Sequence, residues 1–360
     1  MGSKANSFVN SILAGVAIAV IAGAAWVIFD SPASVPEGGV RLSAPGGDGP
    51  IFIVVEPGDT AAGIGKRLEA SRVIDSAANF RRLAEIVGAQ GRLEAGEYEF
   101  LPGTSALDAV VRIRDGLTAA RVVPVPEGLR MEEIASVLEA RGVVKAADFL
   151  TAANALATTG TGLDVDLLAS RPRSATLEGY LYPATYSFSR SVDANEVVLK
   201  LVEALSTRFT PELRQEARAQ GLSVHDVLTL ASIVEREAVL PEEMPVIASV
   251  YRNRLVRGMP LQADPTVQYA ITARPGSVLE FGYWKRQLSS QDLQFDSTYN
   301  TYVRAGLPPG PIANPGIEAI VAVIHPAQTD YLYFVARNDG SHAFSATFEE
   351  HESNVRKYQP

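Results

Sequence analysis

The chain has 360 residues, with 32 Lys and Arg against 41 Asp and Glu, a formal net charge of −9 and no cysteine. The acidic balance argues against nucleic-acid binding, because neutralising phosphates needs a surplus of basic residues. The lack of cysteine excludes disulfides, thiol catalysis and thiolate metal sites. An apolar fraction of 47% is that of a globular protein, and the length suggests two or three folded units.

The first element in chain order is an uncharged run from Phe8 to Phe29. At about 1.5 Å per residue, a helix of this length spans the roughly 30 Å hydrocarbon core of a bilayer. Lys4 precedes the run and Asp30 follows it, so the positive-inside rule leaves the bulk of the chain outside the cytoplasm. We predict an uncleaved single-pass anchor at 8–29, with a cleaved signal peptide as the alternative.

A Pro-, Gly- and Ser-rich stretch at 30–50 is predicted to be a flexible linker. Folded structure begins with an apolar strand at 51–55, a Glu-Pro-Gly turn and a helical pattern at 59–74. A shift of 70 positions repeats this pattern at 123–144. We interpret the repeat as a duplicated unit, with convergent patterning as the alternative. It predicts one subdomain at 51–120 and a second strand–turn–helix subdomain at 121–170.

The opening of the first subdomain resembles a LysM module. The resemblance covers the turn from Val55 to Thr60, followed by Ile64 and Leu68. LysM modules bind glycans that contain N-acetylglucosamine, such as peptidoglycan. The resemblance therefore implies a glycan-binding role for residues 51–120.

The sequence pattern of the remaining chain predicts helices, ordered loops and a hairpin. Ser223 is a plausible N-cap for a helix from Val224 to Val239, and a second helix follows up to Val256. The stretch 262–316 is rich in Gly, Pro, Asn and aromatic residues, which is typical of loops around a site. Strands at 331–337 and 342–345 are joined by Asn-Asp-Gly, a hairpin signal.

Several enzyme classes are excluded by their missing motifs. No GxSxG elbow occurs, and Arg67 stands where a phosphate-binding loop needs Ser or Thr. The four histidines never take the HExxH spacing of zinc peptidases. We predict no metal and no cofactor, which leaves carboxylate chemistry.

Two carboxylates lie inside the apolar helix predicted at 224–239. Glu235 shares a helical face with Leu228 and Ala231, and apolar surroundings raise the pKa of a carboxyl group. A protonated Glu near neutral pH is what a general acid acting on a glycosidic oxygen requires. The alternative is that Glu235 and Glu237 are both solvated surface residues. Spacing alone does not choose between them.

Several long motifs occur in the order in which YceG-like proteins carry them. They are EGYLYPATY at 178–186, LASIVERE at 230–237, ASVYRNRL at 248–255, GMPLQADPTV at 258–267, YNTY at 299–302, GLPPGPI at 306–312, HPA at 325–327 and YLYFV at 331–335. The chain therefore closely resembles the YceG-like family from about residue 50 onward.

The resemblance implies a lytic transglycosylase that cuts nascent peptidoglycan strands internally and so terminates their elongation. It implies an inner-membrane anchor, with the bulk of the chain in the periplasm. It also implies that proteins of the cell-wall synthesis complex are partners. It also implies an α+β fold with a LysM-like subdomain and a catalytic domain at 171–360. The family's catalytic glutamate, taken as the Glu of Ile-Val-Glu, maps to Glu235.

In such an enzyme one Glu protonates the oxygen between MurNAc and GlcNAc, then takes the proton of the MurNAc C6 hydroxyl. This closes a 1,6-anhydro ring without water. Other side chains steady the charged intermediate and stack on sugar rings, although loop structure or packing is the alternative role for each. By motif membership, the candidates for substrate binding are Gln262, Asp264, Thr266, Tyr182, Tyr186, Tyr299, Asn300, Tyr302 and His325.

Two further functions fit the sequence. One is a non-catalytic, membrane-tethered peptidoglycan-binding scaffold, which would have no use for a Glu in an apolar helix. The other is a conventional muramidase, which needs a second carboxylate across a cleft. Glu237, Asp264 and Asp296 are the candidates for that second carboxylate.

Overall fold

Helices dominate the computed structural model, which describes residues 49–190, 192–274 and 276–359. In this part of the chain, strands occur as three antiparallel pairs. The predicted α+β class is confirmed. The predicted span at 8–29 and the predicted linker up to residue 48 lie outside the described residues.

Among the residues that the structure describes, no helix is long and apolar enough to cross a membrane.

The first folded unit has the order βααβα. Its elements are β1 (Ile51–Val55), α1 (Ala61–Ala70), α2 (Ala77–Ile86), β2 (Gly96–Phe100) and α3 (Ala106–Arg114). Each helix starts at a hydroxyl cap, since Thr60, Ser76 and Ser105 each accept a backbone N–H three residues on. The unit has its own apolar core, which includes Leu68 and Phe80.

A second unit repeats this order with one extra short helix. Its elements are β3 (Arg121–Pro124), α4 (Met131–Ala140), α5 (Ala146–Thr159), α6 (Val165–Leu168), β4 (Thr185–Phe188) and α7 (Ala194–Arg208). The strand register is equivalent in the two units, because Ile53 faces Tyr98 and Val123 faces Tyr186. The two units thus share an element order and a register, and the duplication stays a prediction.

The rest of the chain forms a helical layer and a hairpin. Its elements are α8 (Pro211–Ala219), α9 (Val224–Glu237), α10 (Met244–Val256), α11 (Asp264–Thr272), α12 (Ser277–Phe281), α13 (Ile317–Ile324), β5 (Tyr333–Ala336), β6 (His342–Ser345) and α14 (Phe348–Tyr358). The prediction of loops throughout 262–316 is wrong at α11 and α12. Pro265 lies in the first turn of α11, where its missing N–H costs nothing.

One continuous apolar core joins the second unit to this helical layer. It runs from Val123 in β3 through α9 and α10 to Ile324 in α13. The helix α9 lies within this core and packs against α10, α13 and α11. The last turn of α9 is therefore held by packed elements on several sides.

Candidate active site

The two candidate carboxylates lie where α9 leaves the core. Ser223 and Asp226 form a reciprocal capping box that fixes the start of the helix. From Val227 to Val234 every residue is buried, so this helix is apolar on all sides. The last turn is half-exposed, and the side chains of residues 235–237 have different partners.

Glu235 faces the loop after β3 and the start of α13. Its Oε2 accepts a hydrogen bond from the backbone N–H of Gly316 at 3.0 Å. The carboxyl of Glu127 packs so closely on the same glycine that a Cβ there would collide with it. Burial raises the pKa of Glu235, the Gly316 N–H opposes that rise, and the charge of Glu127 adds to it.

Glu237 lies on another side of the turn and is half-buried, so it is not the fully solvated surface residue that the sequence left open as an alternative. Its Oε1 accepts a hydrogen bond from the hydroxyl of Tyr251 at 2.8 Å. Burial raises the pKa of Glu237 to about 7, the Tyr251 hydrogen bond lowers it, and the nearby charge of Asp264 raises it. A carboxyl group with a pKa raised in this way is suited to donating a proton near neutral pH.

Glu237 lines a cavity of about 420 Å³. The cavity lies between the end of α9, the start of α11, the hairpin β5–β6 and the helix α14. Its walls are formed by Glu237, Tyr251, Arg254, Leu261, Gln262, Asp264, Tyr302, Phe334, Val335, Ala336, His342, His351, Val355 and Gln359. We call this space the Glu237 cavity.

Three of the nine predicted substrate-binding residues meet in the Glu237 cavity. Asp264 accepts a hydrogen bond from the Tyr302 hydroxyl at 2.6 Å, and Gln262 accepts one from Arg254 at 3.2 Å. Gln262 has a φ of 51°, in the left-handed region that non-glycine residues seldom occupy. Strain of this kind concentrates at functional sites. The motif at 258–267 thus contributes polar groups beside a protonatable carboxyl.

Two further predicted residues are internal to the fold. Thr266 is fully buried, and its hydroxyl donates to the carbonyl of Ala263 at 2.7 Å. Asn300 is also fully buried, and its amide donates to the carbonyls of Leu293 and Phe295. These side chains shape the loops around the cavity and have no exposed group to offer a sugar.

The remaining four predicted residues lie away from the Glu237 cavity. Tyr182 and Tyr186 belong to the apolar core. Tyr299 packs against Tyr269, with ring centroids 4.9 Å apart. His325 is exposed and its Nε2 lies 2.9 Å from a Glu216 oxygen, at a separate cavity.

Sequence reasoning missed two histidines in the cavity wall. The Nδ1 of His342 lies 2.7 Å from Glu243, whose other oxygen accepts the His342 backbone N–H at 3.0 Å. His351 on α14 stacks on Tyr333 with centroids 5.1 Å apart. The hairpin was visible in the sequence, but which elements the two histidines face depends on contacts with distant segments.

The buried carboxyl group of Glu178 ties the EGYLYP motif to the loop that carries Glu127. Glu178 accepts hydrogen bonds from the Met131 backbone N–H at 3.0 Å and the Asn314 amide at 2.8 Å. Burial raises the pKa of Glu178 to about 8. Asn314 in turn accepts the Leu181 N–H and pairs its own backbone N–H with the Leu129 carbonyl. This network fixes the loop that carries Glu127 against the start of α13.

In the described part of the chain, no group of three or more His, Asp or Glu side chains is placed to hold a metal ion.

Comparisons with known proteins agree with the family resemblance found in the sequence. The model of the YceG-like family matches residues 53–357. A Bacillus subtilis protein named endolytic murein transglycosylase is 34% identical over 316 residues, covering 86% of this chain and 84% of its own. A Streptococcus pneumoniae (strain D39) protein of the same name is 28% identical, and the match covers 86% of this chain but 58% of its length.

A crystal structure of a YceG-like protein from Listeria monocytogenes superposes with a TM-score of 0.56 at 34% identity. That match covers 84% of this chain and 98% of the other. The family model spans well over half of the sequence. The chain therefore belongs to the YceG-like family.

Proposed function

We propose that this protein is a peptidoglycan lytic transglycosylase that acts within glycan strands. The observation that carries the proposal is the Glu237 cavity, where a half-buried carboxyl with a pKa of about 7 faces polar side chains from three distant segments. General acids work best when their pKa lies near the operating pH. The names of the Bacillus and Streptococcus relatives support the same activity.

We assign the proton donor to Glu237 rather than to Glu235, the residue that the sequence analysis selected. Glu237 opens onto a cavity that also holds Gln262 and Asp264. Glu235 instead accepts the N–H of Gly316 and packs near Glu127. That arrangement suits a carboxylate that links the β3 loop to α13.

In the proposed reaction, Glu237 gives its proton to the oxygen between MurNAc C1 and GlcNAc. The C1–O bond breaks and GlcNAc leaves with a free 4-hydroxyl. The MurNAc C6 oxygen then bonds to C1, which closes the 1,6-anhydro ring and releases the C6 hydroxyl proton to a base. No water is consumed, so the product weighs one water less than a hydrolysed end.

The test compares two matched variants on purified peptidoglycan, with products identified by mass spectrometry. Glu237→Gln keeps the shape but removes the transferable proton, so cleavage should fall by about 10²–10⁴-fold. Glu235→Gln, two positions away on the same turn, should retain most activity. A fully active Glu237→Gln protein together with an inactive, folded Glu235→Gln protein would return the acid role to Glu235. If the wild-type protein cleaves no peptidoglycan, the result would favour the alternative function of a non-catalytic peptidoglycan-binding scaffold.

A conventional muramidase is the second candidate, and one observation favours it. Asp264 lines the same cavity as Glu237, so a second carboxylate is available to activate water. The two reactions differ in their products. Reducing MurNAc ends as the main product, lost in an Asp264→Asn variant, would identify the muramidase.

We also propose that residues 8–29 anchor the protein in the inner membrane, with residues 49–359 in the periplasm. The uncharged length of that run supports this topology. The first βααβα unit, with its separate core and LysM-like opening, is proposed to hold glycan strands for cleavage elsewhere. Such a tether places the cavity where nascent strands and the proteins that synthesise them lie.

A further inference from the structure

A carboxylate–histidine pair forms part of the Glu237 cavity. His342 on β6 places Nδ1 2.7 Å from one oxygen of Glu243, and its own backbone N–H donates to the other oxygen at 3.0 Å. The two side chains are only 6% and 15% exposed, so little bulk water competes for their hydrogen bond. Glu243 precedes α10 and comes from a segment far from β6 in sequence. The two-point contact therefore fixes the imidazole ring.

This pair sets which ring nitrogen can accept a proton. A carboxylate accepts hydrogen bonds, so Nδ1 of His342 carries the hydrogen that faces Glu243. In the neutral ring the free lone pair then lies on Nε2. Among the described residues, Nε2 of His342 has no hydrogen-bond partner, and His342 lines the Glu237 cavity.

His342 and Glu237 belong to one site. The ring of Phe334 contacts both His342, at 5.3 Å between centroids, and Tyr251, at 5.8 Å. Tyr251 is the residue whose hydroxyl donates to Glu237. A sugar bound at Glu237 would therefore lie within the same walls as the Nε2 of His342.

Other cavity groups fit a base less well. Asp264 is exposed, and its Oδ1 already accepts the Tyr302 hydroxyl at 2.6 Å. His351 has a buried Nδ1 without a partner among the described residues, and no carboxylate orients its ring. A nucleophile, its base and a third group that orients the base form the recurring arrangement of such sites.

We propose that His342, oriented by Glu243, is the base that takes the proton of the MurNAc C6 hydroxyl. The proposal rests on the transglycosylase function given above and replaces a single carboxyl that serves both steps. Glu237 loses its proton to the leaving GlcNAc oxygen as the C1–O bond breaks. The C6 oxygen bonds to C1 and its proton moves to Nε2. Solvent then carries a proton from His342 to Glu237, so the cycle balances without net water.

The test measures the ratio of 1,6-anhydro ends to reducing ends per cleaved bond, by mass spectrometry of peptidoglycan products. This ratio does not depend on how much of the protein is active. His342→Gln should slow ring closure while water still attacks C1, so the share of reducing ends should rise at least about tenfold, given what a positioned base contributes. Glu243→Gln should shift the ratio in the same direction by a smaller factor.

One control variant lies in the wall of the same cavity. His351→Gln should leave the ratio at the wild-type value. An unchanged ratio in folded His342→Gln and Glu243→Gln proteins would overturn the proposal, as would a folded His342→Gln protein that cleaves nothing, since bond breaking rests on Glu237. If His342→Gln does not fold, the ratio of 1,6-anhydro ends to reducing ends measured for Glu243→Gln tests the proposal instead. A wild-type protein that makes mainly reducing ends would refute the proposed function itself.

Discussion

The hydrogen bond from Tyr251 to Glu237 allows the acid role to be tested through pH dependence. Burial raises the pKa of Tyr251 well above its usual value, so its hydroxyl remains a donor across the working range. A hydrogen bond to a charged group is worth about 1.5–3 kcal/mol. Tyr251→Phe removes this support for the ionised carboxylate, and one pKa unit corresponds to about 1.36 kcal/mol. The pKa of Glu237 should therefore rise by roughly 1–2 units.

The direction of the pH effect follows from which protonation state of Glu237 is active. A general acid works while it is protonated, so activity should be level below the pKa of about 7 and fall above it. The assay is kcat/KM for release of soluble fragments from peptidoglycan between pH 5 and 10, the range needed to record the alkaline limb. In the Tyr251→Phe protein, that limb should move from about pH 7 to about pH 8–9.

Tyr302→Phe is the matched control, because its hydroxyl donates to Asp264 rather than to Glu237. This variant removes one hydroxyl from the same cavity, and the alkaline limb should stay close to the wild-type position. An alkaline limb that stays in place or moves to lower pH in Tyr251→Phe would refute the assignment of Glu237 as the titrating acid.

Four other outcomes can be measured. Gly179 has a φ of 84° and a Cβ there would collide with Pro311, so Gly179→Ala should lower the unfolding free energy in urea by more than about 1 kcal/mol. Because burial raises the pKa of Glu178 to about 8, the folded state holds a proton that the unfolded state has lost, and stability should fall as the pH rises from about 5 through 8. Glu178→Gln should flatten that slope, by at most about 1.4 kcal/mol per pH unit; an equal slope contradicts the assignment. The intact protein should fractionate with inner membranes, and a soluble form with a new amino terminus near residue 31 would indicate a cleaved signal instead. A folded protein that starts near residue 120 should bind insoluble peptidoglycan less than the whole chain, and equal binding would leave the first unit as a spacer.

Local signals in the sequence were sufficient for much of the fold. Ser223 was predicted to be the N-cap of α9, where the structure shows a capping box with Asp226, and the repeated strand patterns indicated both βααβα units. The helix α11 was missed because a Pro-rich segment suggests loops unless the proline lies in a first turn.

The choice between the two carboxylates could not be made locally. A helical face predicts burial only when the other face is solvated, yet α9 is buried on all sides up to Val234. What distinguishes Glu237 is its hydrogen bond from Tyr251 and the cavity that it shares with Asp264 and His342, both of which depend on tertiary packing. Likewise, motif membership alone did not separate the cavity residue Gln262 from the buried scaffold residue Asn300.

The order in which the cavity walls appear along the chain has a consequence for biosynthesis. Glu237 is made about a hundred residues before His342 and the helix α14, which complete the cavity. While the chain is being made, Glu237 thus emerges well before the segments that complete the cavity around it. A partly made chain therefore lacks the complete Glu237 cavity. In the proposed role of this cavity as the place of glycan cleavage, the protein gains its cutting site only when nearly the whole chain has been made.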